Sequence, residues 1–198
     1  VGSEMCIRDS LNLILNAGSS SVKCALMTID DHGQAQDVAR GSIDGIGQKA
    51  LYKMRFFDGH PDITETIEAA EGTSHKDAVS ILLKTVDRIY GLSSLKAAGH
   101  RIVHGGANFT APVKLDRTMI EALKKLIPLA PLHQPHNLAA IESLFDLSPD
   151  LPQIGCFDTA FHASLPKVAR EFALPKALTA KGIRRYGFHG ISYHSVSY

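Results

Sequence analysis

The stretch Leu11-Asn-Leu-Ile-Leu-Asn16-Ala-Gly-Ser-Ser-Ser21-Val-Lys23 constrains this chain more than any other. An apolar run leads into one Gly and three Ser, and a second apolar run follows. That pattern predicts two strands joined by a tight turn. Such a turn turns backbone N–H groups and hydroxyls toward an anion, with no bulky side chain in the way. Lys23 adds a positive charge just past Ser21, and Asn16 offers an amide oxygen to a cation or to water. The segment has the make-up of a phosphate-handling hairpin. It is not a Walker A loop, because no Gly-Lys-Ser/Thr closes it and a strand follows instead of a helix. The same residues also suit an ordinary solvated hairpin, so the choice rests on the rest of the chain.

With 198 residues and 44% hydrophobic side chains, the chain can bury a core as one large domain or two small ones. A formal charge of +1 gives no electrostatic reason to expect nucleic acid or an anionic membrane as partner. No apolar run approaches membrane-spanning length. Cys6, Cys24 and Cys156 are far apart and form no CxxC pair, which reads as reduced thiols in a cytoplasmic protein. Residues 1–10 carry Glu4, Arg8 and Asp9 and no sustained apolar core. They are therefore not a signal peptide, and are set aside as a non-native or disordered leader.

Ser21 to Ile29 is mostly apolar, as for a strand buried on both faces. Asp37 to Ile43 can return as a strand. In Leu51 to Phe57, Tyr52, Met54 and Phe56 alternate with Lys53 and Arg55. From Ser74 the period becomes helical. Val79, Leu82, Leu83, Val86 and Ile89 or Tyr90 form one stripe, and Ser74 with Asp77 makes a capping box. Leu95 to Val103 reads as a strand. Asp116 can cap a helix with Ile120, Leu123 and Ile127 inward, stopped by Pro128. Pro135 can open another, with Leu138, Ile141 and Phe145 inward. Gln153 to Phe157 is a short strand that delivers Asp158. Strands first, then alternating helices and strands, predict an α/β layer fold with a mixed sheet.

Polar residues gather where these elements end, and ligand sites in open α/β sheets lie outside the carboxyl ends of strands. Arg101 precedes His104-Gly105-Gly106. His133 sits in a tight loop before Pro135. Asp158 follows a strand in Phe157-Asp158-Thr159-Ala-Phe161-His162. His189 stands at a helix start in Arg184-Arg185-Tyr186-Gly187-Phe188-His189-Gly190. Each has a structural alternative: Arg101 in an ion pair, Asp158 capping its turn, His189 packed. His100 and His104 lie on a strand and share no helical face, and no HExxH is present, which argues against zinc.

Taken together, the runs NAGSSSVK, GHRIVHGG, APLHQPHN, FDTAFH and RRYGFHG, in this order, resemble the acetate kinase (acetokinase) family of the acetate and sugar kinase/heat-shock/actin superfamily. The resemblance extends from Leu11 to Tyr198. It implies an actin-like ATPase (ribonuclease H-like) domain with a mixed sheet flanked by helices. Family members are about twice as long, so residues 11–198 are expected to be the amino-terminal domain, cut before most of the second. That second part would bring most of the nucleotide pocket, another arginine and a magnesium-associated glutamate.

The resemblance also implies roles. Asn16 matches the residue associated with Mg2+ (or Mn2+). Lys23, with Ser19 and Ser21, matches the contacts to ATP phosphate. Arg101 matches the carboxylate-binding arginine, Asp158 the catalytic aspartate, and His189 the transition-state histidine. His133 matches a further active-site histidine. Val103, Leu132 and Phe188 match the wall around the methyl group of acetate. The implied reaction makes acetyl phosphate and ADP from acetate and ATP, and the implied full-length assembly is a homodimer. Propionate is the close alternative substrate. A non-catalytic phosphate-binding module is the alternative for this piece alone. Many relatives read Thr-Ser-His after the His-Gly pair where this chain has Ile191-Ser192-Tyr193, so a hydroxyl and an imidazole are missing there.

Overall fold

The computed structural model describes residues 11–68 and 73–197; the leader expected at residues 1–10 lies outside them. Eight strands form one mixed sheet: β1 (Leu11–Ala17), β2 (Ser21–Ile29), β3 (Ala35–Asp44), β4 (Ala50–Phe56), β5 (Ile63–Ile67), β6 (Leu95–Ile102), β7 (Val113–Lys114) and β8 (Gln153–Phe157). Their order is β5-β4-β3-β2-β1-β6-β8-β7. β1 to β5 are a run of antiparallel neighbours. β1, β6 and β8 are parallel, so their carboxyl ends share one edge. The longer helices are α1 (His75–Tyr90), α2 (Arg117–Lys124) and α3 (Gln134–Leu147). Two short helices, α4 (Lys167–Arg170) and α5 (Lys176–Thr179), precede α6 (Gly190–Ser197).

The main core lies between the sheet and α1 with α3. Leu11, Leu13, Leu15, Val22, Cys24 and Leu26 meet Val79, Leu82, Leu83 and Val86 there. A smaller core joins Ile102 and Phe157 to α2 and α3 through Ile120, Leu123, Leu138 and Ile141. α1 begins as its sequence predicts. The Ser74 hydroxyl accepts from the Asp77 N–H at 3.1 Å, and the Asp77 carboxylate accepts from the Ser74 N–H at 2.9 Å. The alternation along β4 also holds, with Tyr52, Met54 and Phe56 buried.

Several expectations need correction. β2 is not buried on both faces; Val22, Cys24 and Leu26 are inside while Lys23 is exposed. The apolar run suggested two covering layers, but α1 and α3 cover one face only. Asp116 does cap α2, accepting from Met119 N–H at 2.7 Å, but that helix stops at Lys124. Ile127 and Pro128 sit in a separate 3-10 turn. Proline has no N–H to continue an α-helical ladder, yet it fits the opening of such a turn. α6 starts at Gly190, one residue after His189. The short edge strands β5 and β7 were not anticipated. In β5 three consecutive positions are exposed, so it lacks the alternation that marks a half-buried strand.

His100, enclosed on β6, makes the fold sensitive to acid. Burial pushes its imidazole down to about 4. An unfolded histidine titrates near 6.5, so between these values the unfolded chain binds a proton that the folded chain refuses. Stability is therefore expected to fall as pH drops from about 6.5 to 4, by up to about 3 kcal/mol, and to level off below. Wild type should lose more Tm between pH 7 and 4.5 than His100→Gln. Equal losses would show that His100 carries none of this sensitivity.

Candidate active site

The carboxyl ends of β1, β6 and β8 bring three of the expected residues into direct contact. Asn16 precedes the last residue of β1, Arg101 precedes the last residue of β6, and Asp158 follows β8. The Arg101 guanidinium donates from Nη2 to Asp158 Oδ2 at 2.6 Å and from Nε to Oδ2 and Oδ1 at 3.1 and 3.3 Å. Its Nη1 donates to Asn16 Oδ1 at 3.1 Å. The Asp158 side chain is 2% exposed and that of Arg101 36%. The pair is thus half open: a sealed carboxylate holds an arginine that still reaches the surface. A guanidinium has more N–H groups than these bonds use and presents them in a fixed fork. The ion-pair reading of Arg101 and the ligand-binding one are therefore compatible.

Lys23 stands opposite Asn16 in the β1–β2 register, so the two side chains leave the same face of the sheet. Lys23, Asn16 and Arg101 thus form a row that ends at Asp158. The turn between β1 and β2 is tight, with Gly18 N–H donating to Ser21 carbonyl at 2.7 Å. It is also tied down. The Ser20 carbonyl accepts from Gly45 and Ile46 at 2.9 Å, and His75 Nε2 lies 2.7 Å from the Gly18 carbonyl. Ser19 is exposed and Ser21 half-buried.

His189 reaches this end of the sheet through its backbone. The next residue, Gly190, donates its N–H to the Asp158 carbonyl at 2.8 Å. His189 itself has φ 57, the left-handed region that non-glycine residues seldom occupy. Its imidazole is exposed. Phe188 is held from behind, its carbonyl 2.9 Å from His162 Nε2, and its ring meets the buried His104 edge-on at 5.7 Å. Burial lowers the pKa of His104. Val103 is buried directly after β6, but Leu132 is 74% exposed on the loop before α3. A cavity of about 410 Å³ beside Phe157, Cys156 and Ile191 does not include Val103, Leu132 or Phe188. His133 is exposed at the start of α3. Its neighbour His136 stacks on His75 at 4.9 Å, and burial, then His75 and His133, lower the pKa of His136.

Among the described residues, no group of three or more His, Cys, Asp or Glu is placed to hold a metal ion. Asn16 Oδ1 and the Asp158 carboxylate are hard oxygen donors bridged by Arg101. All of these oxygens already accept from the Arg101 guanidinium and Asp158 is sealed, so of the two only the half-buried Asn16 is open enough to meet a hydrated cation such as Mg2+, most of whose ligands are water and phosphate.

The acetokinase family model matches residues 11–198. The chain belongs to the acetokinase family. It is 47% identical over 186 residues to an acetate kinase of Rhodopseudomonas palustris, covering 93% of this chain and 46% of that protein. A solved propionate kinase from Francisella tularensis superposes with a TM-score of 0.84 at 37% identity, covering 95% of this chain and 47% of that one. An acetate kinase structure from Porphyromonas gingivalis gives 0.79 at 35% identity, covering 93% and 46%. The chain spans about half the length of the curated relatives it matches. Its fold is the actin-like ATPase fold of these kinases, as expected from the five ordered runs.

In this acetokinase chain Ile191 and Tyr193 stand where the resemblance led to a hydroxyl and an imidazole being expected. Ile191 lines the 410 Å³ cavity. Tyr193 stacks on Phe161 at 5.8 Å and meets His162 edge-on at 5.5 Å, so its ring braces the turn after Asp158. Four residues of the site escaped the reading from sequence. Gln134 and Asn137 are buried on α3, Thr159 accepts from Gly105 N–H at 2.9 Å, and Gly190 packs on Asp158. The signal for the first two was present: they fall on the same helical stripe as Leu138 and Ile141, and a carboxamide at a core position must find partners.

Gly190 shows how tightly Asp158 is held. A Cβ there would overlap the Asp158 carbonyl oxygen and crowd Phe161 Cβ at 2.7 Å. Gly190→Ala is expected to destabilise the protein by about 1–3 kcal/mol, the range for overpacking. Denaturant unfolding checks this, and an unchanged midpoint would show that the α6 junction yields freely.

Proposed function

We propose that this chain is the acid-binding half of a kinase that transfers the γ-phosphoryl group of ATP to acetate, giving acetyl phosphate and ADP. The observation that carries this reading is Arg101, bound to both Asp158 and Asn16 at the carboxyl ends of three parallel strands. A small carboxylate can exchange onto the outward N–H groups of Arg101 as a bidentate pair. One of its oxygens then attacks the γ-phosphorus while the bond to the β-phosphate oxygen breaks and ADP leaves. The acid is already ionised at neutral pH, so it needs positioning and charge neutralisation more than a base.

In this reading Asp158 orients Arg101 and is not a proton acceptor. Ser19, Ser21 and Lys23 face the nucleotide phosphates. His189 and His133 donate to oxygens of the transferred group. Asn16 would hold Mg2+ through its amide oxygen, and the ion when bound would neutralise phosphate charge. The part beyond this chain supplies most of the nucleotide pocket, so residues 11–198 alone are expected to turn over poorly. The reaction is that of a soluble enzyme in the cytoplasm, as a homodimer in full length. No helix of the described residues is long and apolar enough to cross a membrane.

The test is acyl phosphate formation by the full-length protein with ATP and acetate, trapped as the hydroxamate. A folded, ATP-binding protein that forms none would sink the reading. Propionate is the second reading, favoured by the likeness to a propionate kinase. Val103, Leu132 and Phe188 are proposed to bound the alkyl end of the acid. Val103→Ala is expected to shift kcat/KM toward propionate by about 10-fold, since a methylene in an apolar pocket carries about 1–3 kcal/mol. Equal losses for both acids would mean that Val103 supports the end of β6 and does not read the acid.

A further inference from the structure

The paired register of β1 and β6 stops at Leu15 and His100, before either strand reaches its end. Two residues past Leu15 and three past His100, a side chain replaces the ladder. Asn137, in the first turns of α3 and 4% exposed, donates from Nδ2 to the Ala17 carbonyl at 2.6 Å. Its Oδ1 accepts from the Val103 N–H at 2.9 Å. A carbonyl can only accept and an N–H can only donate, so these partners fix the orientation of the amide. Gln134, one turn earlier and 0% exposed, treats His104 the same way. Its Oε1 accepts from the His104 N–H at 3.2 Å and its Nε2 donates to the His104 carbonyl at 3.0 Å.

α3 therefore inserts two peptide-like groups where a sheet would otherwise continue. The wedge of Asn137 both separates the strand ends and ties them together. One end is Ala17, next to Asn16 and leading into the Gly18–Ser21 turn. The other is Val103, two residues past Arg101. Removing the amide would leave a buried C=O and a buried N–H without partners, or let the two ends close on each other.

We propose that Asn137 is a positioning residue that sets the gap between the phosphate arm, Asn16 to Ser21, and the carboxylate arm, Arg101 to Val103. The proposal rests on the kinase reading above. Each arm keeps its own ligand contacts without Asn137, so each substrate should still bind. What is lost is the alignment of the attacking oxygen with the phosphorus, and a shift near 1 Å there can cost about 100-fold.

The test compares full-length wild type, Asn137→Ala, the near-isosteric Asn137→Asp, and Leu144→Ala as a control. Leu144 is a core residue near the far end of α3, so its loss should lower Tm without touching the strand ends. Per folded molecule, Asn137→Ala is expected to lose kcat by about 10–100-fold, with KM for acid and for ATP each changed by no more than about threefold. Leu144→Ala should keep kcat. In Asn137→Asp an ionised carboxylate opposes the Ala17 carbonyl, whereas a protonated one can donate to it. The ratio of its kcat to that of wild type should therefore rise as pH falls from 8 to 5.5. His75, His104, His133, His136, Arg101 and Asp158 around the clamp are present in both proteins and cancel in that ratio to first order.

An Asn137→Ala enzyme with the kcat of the Leu144→Ala control overturns the proposal. So does a large rise in one KM with kcat unchanged, and so does a flat pH ratio for Asn137→Asp. A folded wild type inactive on both acids overturns the kinase reading, and this proposal with it. An active wild type with an undiminished Asn137→Ala overturns this proposal alone.

Discussion

Asp158→Asn in the full-length protein is expected to lower kcat/KM for the acid by about 1000-fold, the scale of losing one preorganised electrostatic group. Both carboxylate oxygens of Asp158 accept from Arg101. An asparagine can present an oxygen to only one of those donors and turns an NH2 toward the other. At 2% exposure, little water can intervene. The guanidinium loses its anchor, and the acid it holds loses its line of attack. If Asp158 orients and does not take a proton, the ratio of mutant to wild-type kcat should stay flat between pH 6 and 8. A ratio that recovers at high pH would return Asp158 to the role of base. Undiminished kcat/KM would remove it from the site.

Arg101→Ala is expected to act on both stability and catalysis. It leaves the sealed Asp158 carboxylate without its cation. Breaking a fully enclosed pair destabilises by about 3–5 kcal/mol, and the 36% exposure of Arg101 reduces this to about 2 kcal/mol. KM for the acid should rise and kcat should fall, together lowering kcat/KM by about 100–1000-fold, since several charge-assisted hydrogen bonds are lost at once. Arg101→Lys should not restore the rate, because a point charge cannot reproduce the fork to Asp158 and Asn16. Combining Arg101→Ala with Asp158→Asn should be little worse than the poorer single change, as for groups acting as one unit. Additive losses would mean that the two side chains act separately and that their bond is incidental to function.

These expectations concern residues whose placement was legible to different degrees. The hairpin, the Ser74–Asp77 capping box, the alternation of β4 and the stripe of α1 were all readable, because each depends on residues a few positions apart. The five ordered runs went further and marked the family and its actin-like fold. Reading Asn16, Arg101 and Asp158 as strand-end residues was correct, and the parallel order of β1, β6 and β8 is what joins them.

The sequence by itself determined the local elements, the family and the identity of the polar residues at strand ends. Only the tertiary structure decided that Arg101 bridges Asp158 and Asn16, that α1 and α3 leave one face of β2 uncovered, and that His189 is tied to Asp158 through Gly190. It alone decided the clamp by Asn137, whose partner Ala17 lies 120 residues away. Local patterns are set by short-range sterics and by the period of burial, so they are written along the chain. A hydrogen bond between distant segments depends on which strands become neighbours and where their register ends. Those are properties of the whole sheet and its packed helices, and no single stretch of sequence contains them.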